Sequence, residues 1–209
     1  MSPRIQENFN APANGIDAPW SPLVKRAKAG SRSAFAELVD LFQDDIFKMV
    51  FYRTRTQLDA EDITQEVFMQ AFRKLSGLKK VDRFKSWLFS IAINRVRDFN
   101  RKKRFQSLFQ PSDAGNDIKP SDTQIFDQPE AIDELMKQDF WKQIGLIIDK
   151  LSRMEREVFL LRFLDLLSIR EISSALKKSE STIKTHLYRA LRKFRKNSST
   201  LQLLKEEMP

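Results

Sequence analysis

Apolar positions between residues 34 and 50 recur at threes and fours, at Phe35, Leu38, Val39, Phe42, Ile46, Met49 and Val50. That spacing collects side chains on one face of an α-helix, and Ser31 or Ser33 can cap its start. A second stripe opens at Asp59 and runs through Ile63, Val67, Phe68, Ala71, Phe72 and Leu75 until Gly77 stops it. A third begins near Phe84, with Phe84, Leu88, Ala92, Val96 and Phe99 on one side and Ser86, Ser90, Asn94, Arg97, Arg101 and Arg104 on the other. The pattern then fades until Met136, Phe140, Ile144, Ile147, Ile148 and Leu151, followed by a helix expected over Met154 to Leu166. The last stripe is Ile183, Leu187, Ala190, Leu191 and Phe194. Alternation of the strand type has no length anywhere, so the fold class predicted is all-α.

Charge divides these helices into groups. Arg95, Arg97, Arg101, Lys102, Lys103 and Arg104 face Asp98 alone, whereas Asp113, Asp117, Asp122, Asp127, Glu130, Asp133, Glu134 and Asp139 are offset only by Lys119 and Lys137. Pro120, Pro129 and Gly115 fall in the acidic stretch, which predicts a flexible acidic linker over residues 106–133. Two small helical domains flank it, at 23–105 and 134–197, with a short tail at 198–209. Pro3, Pro12, Pro19 and Pro22 without a hydrophobic segment read as a disordered arm over 1–22. Across its 209 residues the chain holds 37 Lys and Arg against 28 Asp and Glu, a net charge of +9, which favours a polyanionic partner. No apolar run approaches a membrane span, and the lack of cysteine fits a reducing compartment. The expected location is cytoplasmic, with no membrane insertion.

The sharpest local signal lies near the C-terminus. Ser168 and Glu171 have capping-box spacing, and Ser179 can cap a second start, so two short helices meet across a tight turn at Lys177 and Lys178. This is the outline of a helix-turn-helix whose second helix is basic. Its apolar stripe leaves Ser181, Thr185, Tyr188, Arg189 and Arg192 on the opposite face. Ser181, Thr182, Lys184, Thr185 and Arg189 occupy the first turns, where groove contacts concentrate; Arg192, Lys193, Arg195 and Lys196 suit backbone anchoring. His186 is the single histidine and suits a phosphate contact, which leaves no histidine cluster for a metal. Glu61 and Asp62 are turned apart by the helix, there is no G-x-x-x-x-G-K loop, and glycines number 5. A non-enzymatic protein without catalytic residue, cofactor, metal or small-molecule substrate is expected.

Asp59-Ala-Glu-Asp-Ile-Thr-Gln-Glu-Val-Phe68, then Phe84-Lys-Ser-Trp-Leu-Phe-Ser-Ile-Ala-Ile-Asn-Arg-Val-Arg-Asp98, then Leu151 to Lys196 together resemble bacterial RNA polymerase sigma factors. The type resembled is the extracytoplasmic-function class, which keeps the second and fourth conserved regions. The resemblance implies promoter-specific initiation with core RNA polymerase, bound at its clamp and flap, on promoter DNA, under control of an anti-sigma factor. It puts clamp contact at Asp62, Gln65 and Glu66. Minus-ten contact falls on the loop residues Lys79, Lys80 and Arg83 and on Asn94, Arg97, Arg101 and Arg104; minus-thirty-five contact falls on Ser181, Thr182, Lys184, Thr185, Arg189 and Arg192. Asn94 carries an amide suited to a base edge, and the arginines suit phosphates. Trp87 and Phe84 suit the core. Lys177 and Lys178 stand where the family has a glycine and an apolar residue, and Ser152 where it commonly has proline. The alternative is a dimeric helix-turn-helix repressor or activator that binds no polymerase, which would leave residues 59–104 without a role. A membrane-surface protein fits the acidic stretch poorly.

Overall fold

The computed structural model describes residues 18–109, 148 and 150–195, with side chains of 107–109 left aside. The expected linker, the start of the second domain, the tail and Lys196 lie largely or wholly outside these residues. Among those described there are helices and short turns and no strand.

Helix α1 spans Ser21–Lys28, a stretch that the proline pattern assigned in part to an arm. The arm does not reach this far: Trp20 is 1% exposed and packs edge-on against Phe42 at 5.4 Å between ring centroids. Pro22 sits in the first turn, where a missing N–H is no loss because that donor has no intrahelical acceptor anyway. Helix α2 spans Arg32–Thr54, longer than expected, with Ser31 accepting from the Ala34 N–H. It stops at Arg55, whose φ of 64° is left-handed.

Helix α3, Gln57–Lys74, starts two residues before Asp59, because Thr56 is the cap and accepts from the Asp59 N–H at 3.3 Å. Two short 3-10 turns, Leu75–Gly77 and Val81–Arg83, lead to α4, Phe84–Phe109. Phe84 is fully buried and Trp87 half-buried against the core, as the heptad spacing anticipated.

The second domain holds α5 at Arg153–Phe163, α6 at Ile169–Leu176 and α7 at Glu180–Arg195. Ser152 forms a full capping box with Glu155, so the serine that replaces a proline supplies two hydrogen bonds instead of a preset φ. The Ser168–Glu171 box is likewise complete, and the Thr182 N–H donates to Ser179 Oγ at 3.2 Å. Side chains from both domains continue one apolar core, from Leu38, Ile46, Met49 and Leu88 into Val158, Leu161, Leu167 and Ile172. A second cluster, Ile148, Leu151, Phe159, Leu160, Ala190 and Phe194, joins α5 to α7. Each large apolar side chain taken fully out of water contributes roughly 1.5–3 kcal/mol.

Lys177 closes α6 in the left-handed region, at φ 54° and ψ 46°. The turn is held from the helix side: the Lys177 and Lys178 N–H groups both donate to the Ser173 carbonyl, and Ser173 Oγ donates to the Lys178 carbonyl at 2.6 Å. A Cβ in this conformation costs about 1 kcal/mol. Lys177 is exposed, so Lys177→Gly is expected to raise the melting temperature by about 3 °C in calorimetry.

Candidate nucleic-acid interface

The α3 face opposite Ile63 and Val67 exposes Asp62, Gln65 and Glu66 together. They are not equivalent. Glu66 accepts an ion pair from Arg95 Nη1 at 3.3 Å, while Arg95 Nε donates to Gln70 Oε1 at 2.7 Å, so α4 holds this part of α3 in place. Asp62 and Gln65 stand clear of that network. Beside Gln65 opens an apolar groove of about 740 Å³ between α2 and α3, floored by Phe35, Val39, Phe47, Phe68, Met69 and Phe72. Phe72, half exposed, meets Phe35 edge-on at 5.0 Å. Its place in the apolar stripe suggested core; the sign of a second apolar face was Met69, which falls off that stripe.

On α4 the polar stripe is only partly available. Asn94, Arg101 and Arg104 are exposed, as are Lys79, Lys80 and Arg83 ahead of the helix. Arg101 pairs with Asp98 at 3.1 Å, an exposed contact of little energetic weight. Ser86 and Ser90 turn back onto the helix, donating to the carbonyls of Arg83 and Trp87, and Ser86 is 3% exposed. Arg97 is half-buried, and its Nε has neither accessible surface nor a hydrogen-bond partner among the described residues. The cause is tertiary: α4 packs on α2 and α3 with one side and on α6 with another.

The recognition helix α7 presents Ser181, Lys184, Thr185, Arg189 and Arg192 to solvent, with Tyr188 at 64% exposure among them. Thr182 is half-buried, its hydroxyl 2.8 Å from Ser179 Oγ, so it acts in the cap. Thr185 Oγ1 donates to the Ser181 carbonyl at 2.9 Å, which turns its methyl outward. Lys193, expected on the backbone-anchoring side, is tied inward: its ammonium donates to Glu155 Oε2 at 2.6 Å and to the Lys150 carbonyl. That ammonium holds the Glu155 carboxyl below its ordinary range, against the opposing effect of burial. His186 is half-buried with Nδ1 covered, a poor phosphate ligand at that nitrogen. No grouping of metal-ligating side chains occurs among the described residues.

Residues 38–106 match the family model for sigma-70 region 2, and residues 141–194 match the one for sigma-70 region 4. The chain is 31% identical over 176 residues to the extracytoplasmic-function (ECF) RNA polymerase sigma factor SigW of Bacillus subtilis, covering 83% of this chain and 93% of that one. This chain belongs to the ECF sigma factors. BldN of Streptomyces coelicolor is 30% identical over 184 residues, though the match spans 66% of its longer chain. The fold is shared with a solved structure of CnrH in complex with the cytosolic domain of CnrY, at a TM-score of 0.60, 21% identity and 90% coverage of this chain and 98% of that one. It is also shared with the sigma factor RpoE from Bartonella quintana, solved with the anti-sigma factor NepR, at 0.57, 22% identity, and 83% and 98% coverage.

As a sigma factor the protein confers promoter choice on core polymerase. Most of α2 and α4 and all of α3 fall in the sigma region two match, and α5, α6 and nearly all of α7 in the region four match. The contact that sequence reasoning missed joins the two regions. Arg53, at the end of α2, donates through Nη2 to Asp165 Oδ2 at 2.9 Å, through Nε to Glu157 Oε1 at 3.2 Å, and through Nη1 to the Met49 carbonyl at 2.7 Å. The Arg53 and Asp165 side chains are 6% and 2% exposed. Burial pushes the Asp165 carboxyl above its ordinary range in spite of the guanidinium, and Arg53 stays charged because the two carboxylates outweigh burial.

Proposed function

We propose that region two grips the polymerase clamp through Asp62 and Gln65, with Glu66 contributing less, and seats itself by way of the adjoining groove. Asn94 then bonds a base edge of the minus-ten element, and the loop carrying Lys79, Lys80 and Arg83 closes around a base leaving the stack. Arg97, Arg101 and Arg104 neutralise phosphates, giving affinity that falls with salt. In region four, Ser181, Lys184, Thr185, Arg189 and Arg192 meet the minus-thirty-five major groove, and Thr182 fixes the helix start. The region-two unit corresponds to about residues 23–105 and the region-four unit to 134–197. Site of action is the cytoplasm, and an anti-sigma factor is the expected regulator, as for RpoE, which was solved with one.

The observation that carries this reading is the pairing of two separate polar helix faces, on α4 and α7, each backed by a buried apolar stripe. Transcription with core polymerase and a genomic fragment library, with sequencing of RNA 5′ ends, tests it. Discrete starts sharing two upstream elements are expected. No specific starts, with the protein alone binding DNA as a dimer, would establish the repressor alternative instead. Within the same assay Arg189→Ala should weaken minus-thirty-five-dependent initiation by about 10- to 100-fold, the worth of one good base contact, and leave polymerase binding unchanged.

A further inference from the structure

We propose that Arg53, Asp165 and Glu157 form a clasp that holds regions two and four closed in the free protein, and that it must break before both promoter elements are engaged. The inference rests on the placement of α4 at the minus-ten element and α7 at the minus-thirty-five element.

Geometry makes the two states exclusive. Helix α6 packs against both α4 and α7. Packed helices lie about 8–10 Å apart, so the α4 and α7 axes are within about 20 Å. Helix α4, 26 residues long, extends about 39 Å. Allowing for the length of α6 and half the lengths of α4 and α7 still leaves the midpoints of the two DNA-facing helices less than about 65 Å apart, against the centre-to-centre spacing of the promoter elements. The two promoter elements are separated by about 25 base pairs, or about 85 Å of duplex. The described arrangement therefore cannot touch both. Between Phe109 and Ile148 the chain is long enough to span up to about 130 Å when extended, so the connection does not forbid separation.

The clasp joins partners 104 and 112 residues apart, and it is built to be dry. The loop that delivers Asp165 bends sharply: the Asp165 N–H donates to the Leu160 carbonyl, the Leu167 N–H to the Leu161 carbonyl, and Arg162 Nη1 to the Leu167 carbonyl. Between the buried Asp165 and the buried Leu167, Leu166 is forced to φ 52° with its side chain 68% exposed. A leucine in that conformation, facing water, is the local strain accepted for pointing Asp165 at Arg53. Tyr52 lies beside the same carboxylate, and burial followed by the charge of Asp165 raises its hydroxyl pKa. Removing one member of such a pair strands the other in a dry site, whereas replacing both by apolar groups does not.

The chain has no cysteine, so Lys48→Cys on α2 and Lys178→Cys in the turn, both exposed, accept a fluorophore pair on the full-length protein. Single-molecule energy transfer should show one compact population for the labelled parent. Arg53→Met should shift the compact-to-separated ratio by about 100-fold or more, and adding Asp165→Leu should return it toward the parent value. Should Arg53→Met fail to fold by circular dichroism, Asp165→Asn, which keeps the side-chain shape, takes its place with the same shift expected. Unchanged compactness in a folded single variant, or no recovery in the double variant, overturns the clasp. Energy transfer reads only the distance between regions, so an error in the promoter assignments would appear in DNA binding and not in this signal.

Discussion

Replacing Asp62, Gln65 and Glu66 together by alanine is expected to weaken core polymerase binding by about 100-fold or more, with the melting temperature within about 3 °C of the parent. All three side chains are exposed on α3 and none contributes to the apolar core, so their truncation removes surface contact and, as support, only the half-exposed Glu66–Arg95 pair. The single variants should separate. Asp62→Ala and Gln65→Ala should account for most of the loss, because both are exposed outside the Glu66–Arg95 network and Gln65 lines the apolar groove. Glu66→Ala should lose little binding but loosen α3 from α4, since its carboxylate is engaged with Arg95. Fluorescence anisotropy with labelled protein and core polymerase reads all four affinities. Undiminished affinity in the triple variant would move clamp contact off this helix.

Phe194→Ala should abolish upstream-element binding by unfolding region four. Phe194 is fully buried near the end of α7 and stacks on Phe159 of α5, with centroids 4.5 Å apart and planes 12° from parallel. Among the described residues the cluster around it adds Ile148, Leu151, Leu160 and Ala190, with Phe163 and Leu164 partly buried against it. Truncation of a buried phenylalanine costs about 3–5 kcal/mol, which is comparable with the whole stability of a domain this size. Hydrogen exchange should show protection lost across α5 and α7 and kept in α2 and α3. If α7 kept its protection, the second core would be less decisive than its packing indicates.

Local chemistry was easy to read from the chain. The two serine caps of the helix-turn-helix, the tight turn at Lys177 and Lys178 and the buried Phe84 follow from residue type and spacing, and the structure has each of them. Helix α1 escaped because four prolines outweighed one tryptophan; Pro22 is compatible with a first turn, and Trp20 then supplies a core side chain. Ser86 was assigned to an open stripe because periodicity divides a helix into two faces, and α4 has three to account for. Arg53 gave no signal at all. Its partners are more than a hundred positions away, and an arginine at the end of a helix reads as a favourable charge near the C-terminal dipole.

The crowding around α4 bears on how promoter preference can change. Its residues answer at once to the region-two core, to Glu66 and Gln70 on α3, and to α6 of the other region. Transplanting this helix from a relative would import side chains fitted to somebody else's neighbours, so the recipient would alter its closure and its polymerase-facing helix along with its base choice. Among the α4 residues proposed to meet DNA, the outward ones are Asn94, Arg101 and Arg104, so a shift of minus-ten preference made on this helix without disturbing its packing is expected at those positions.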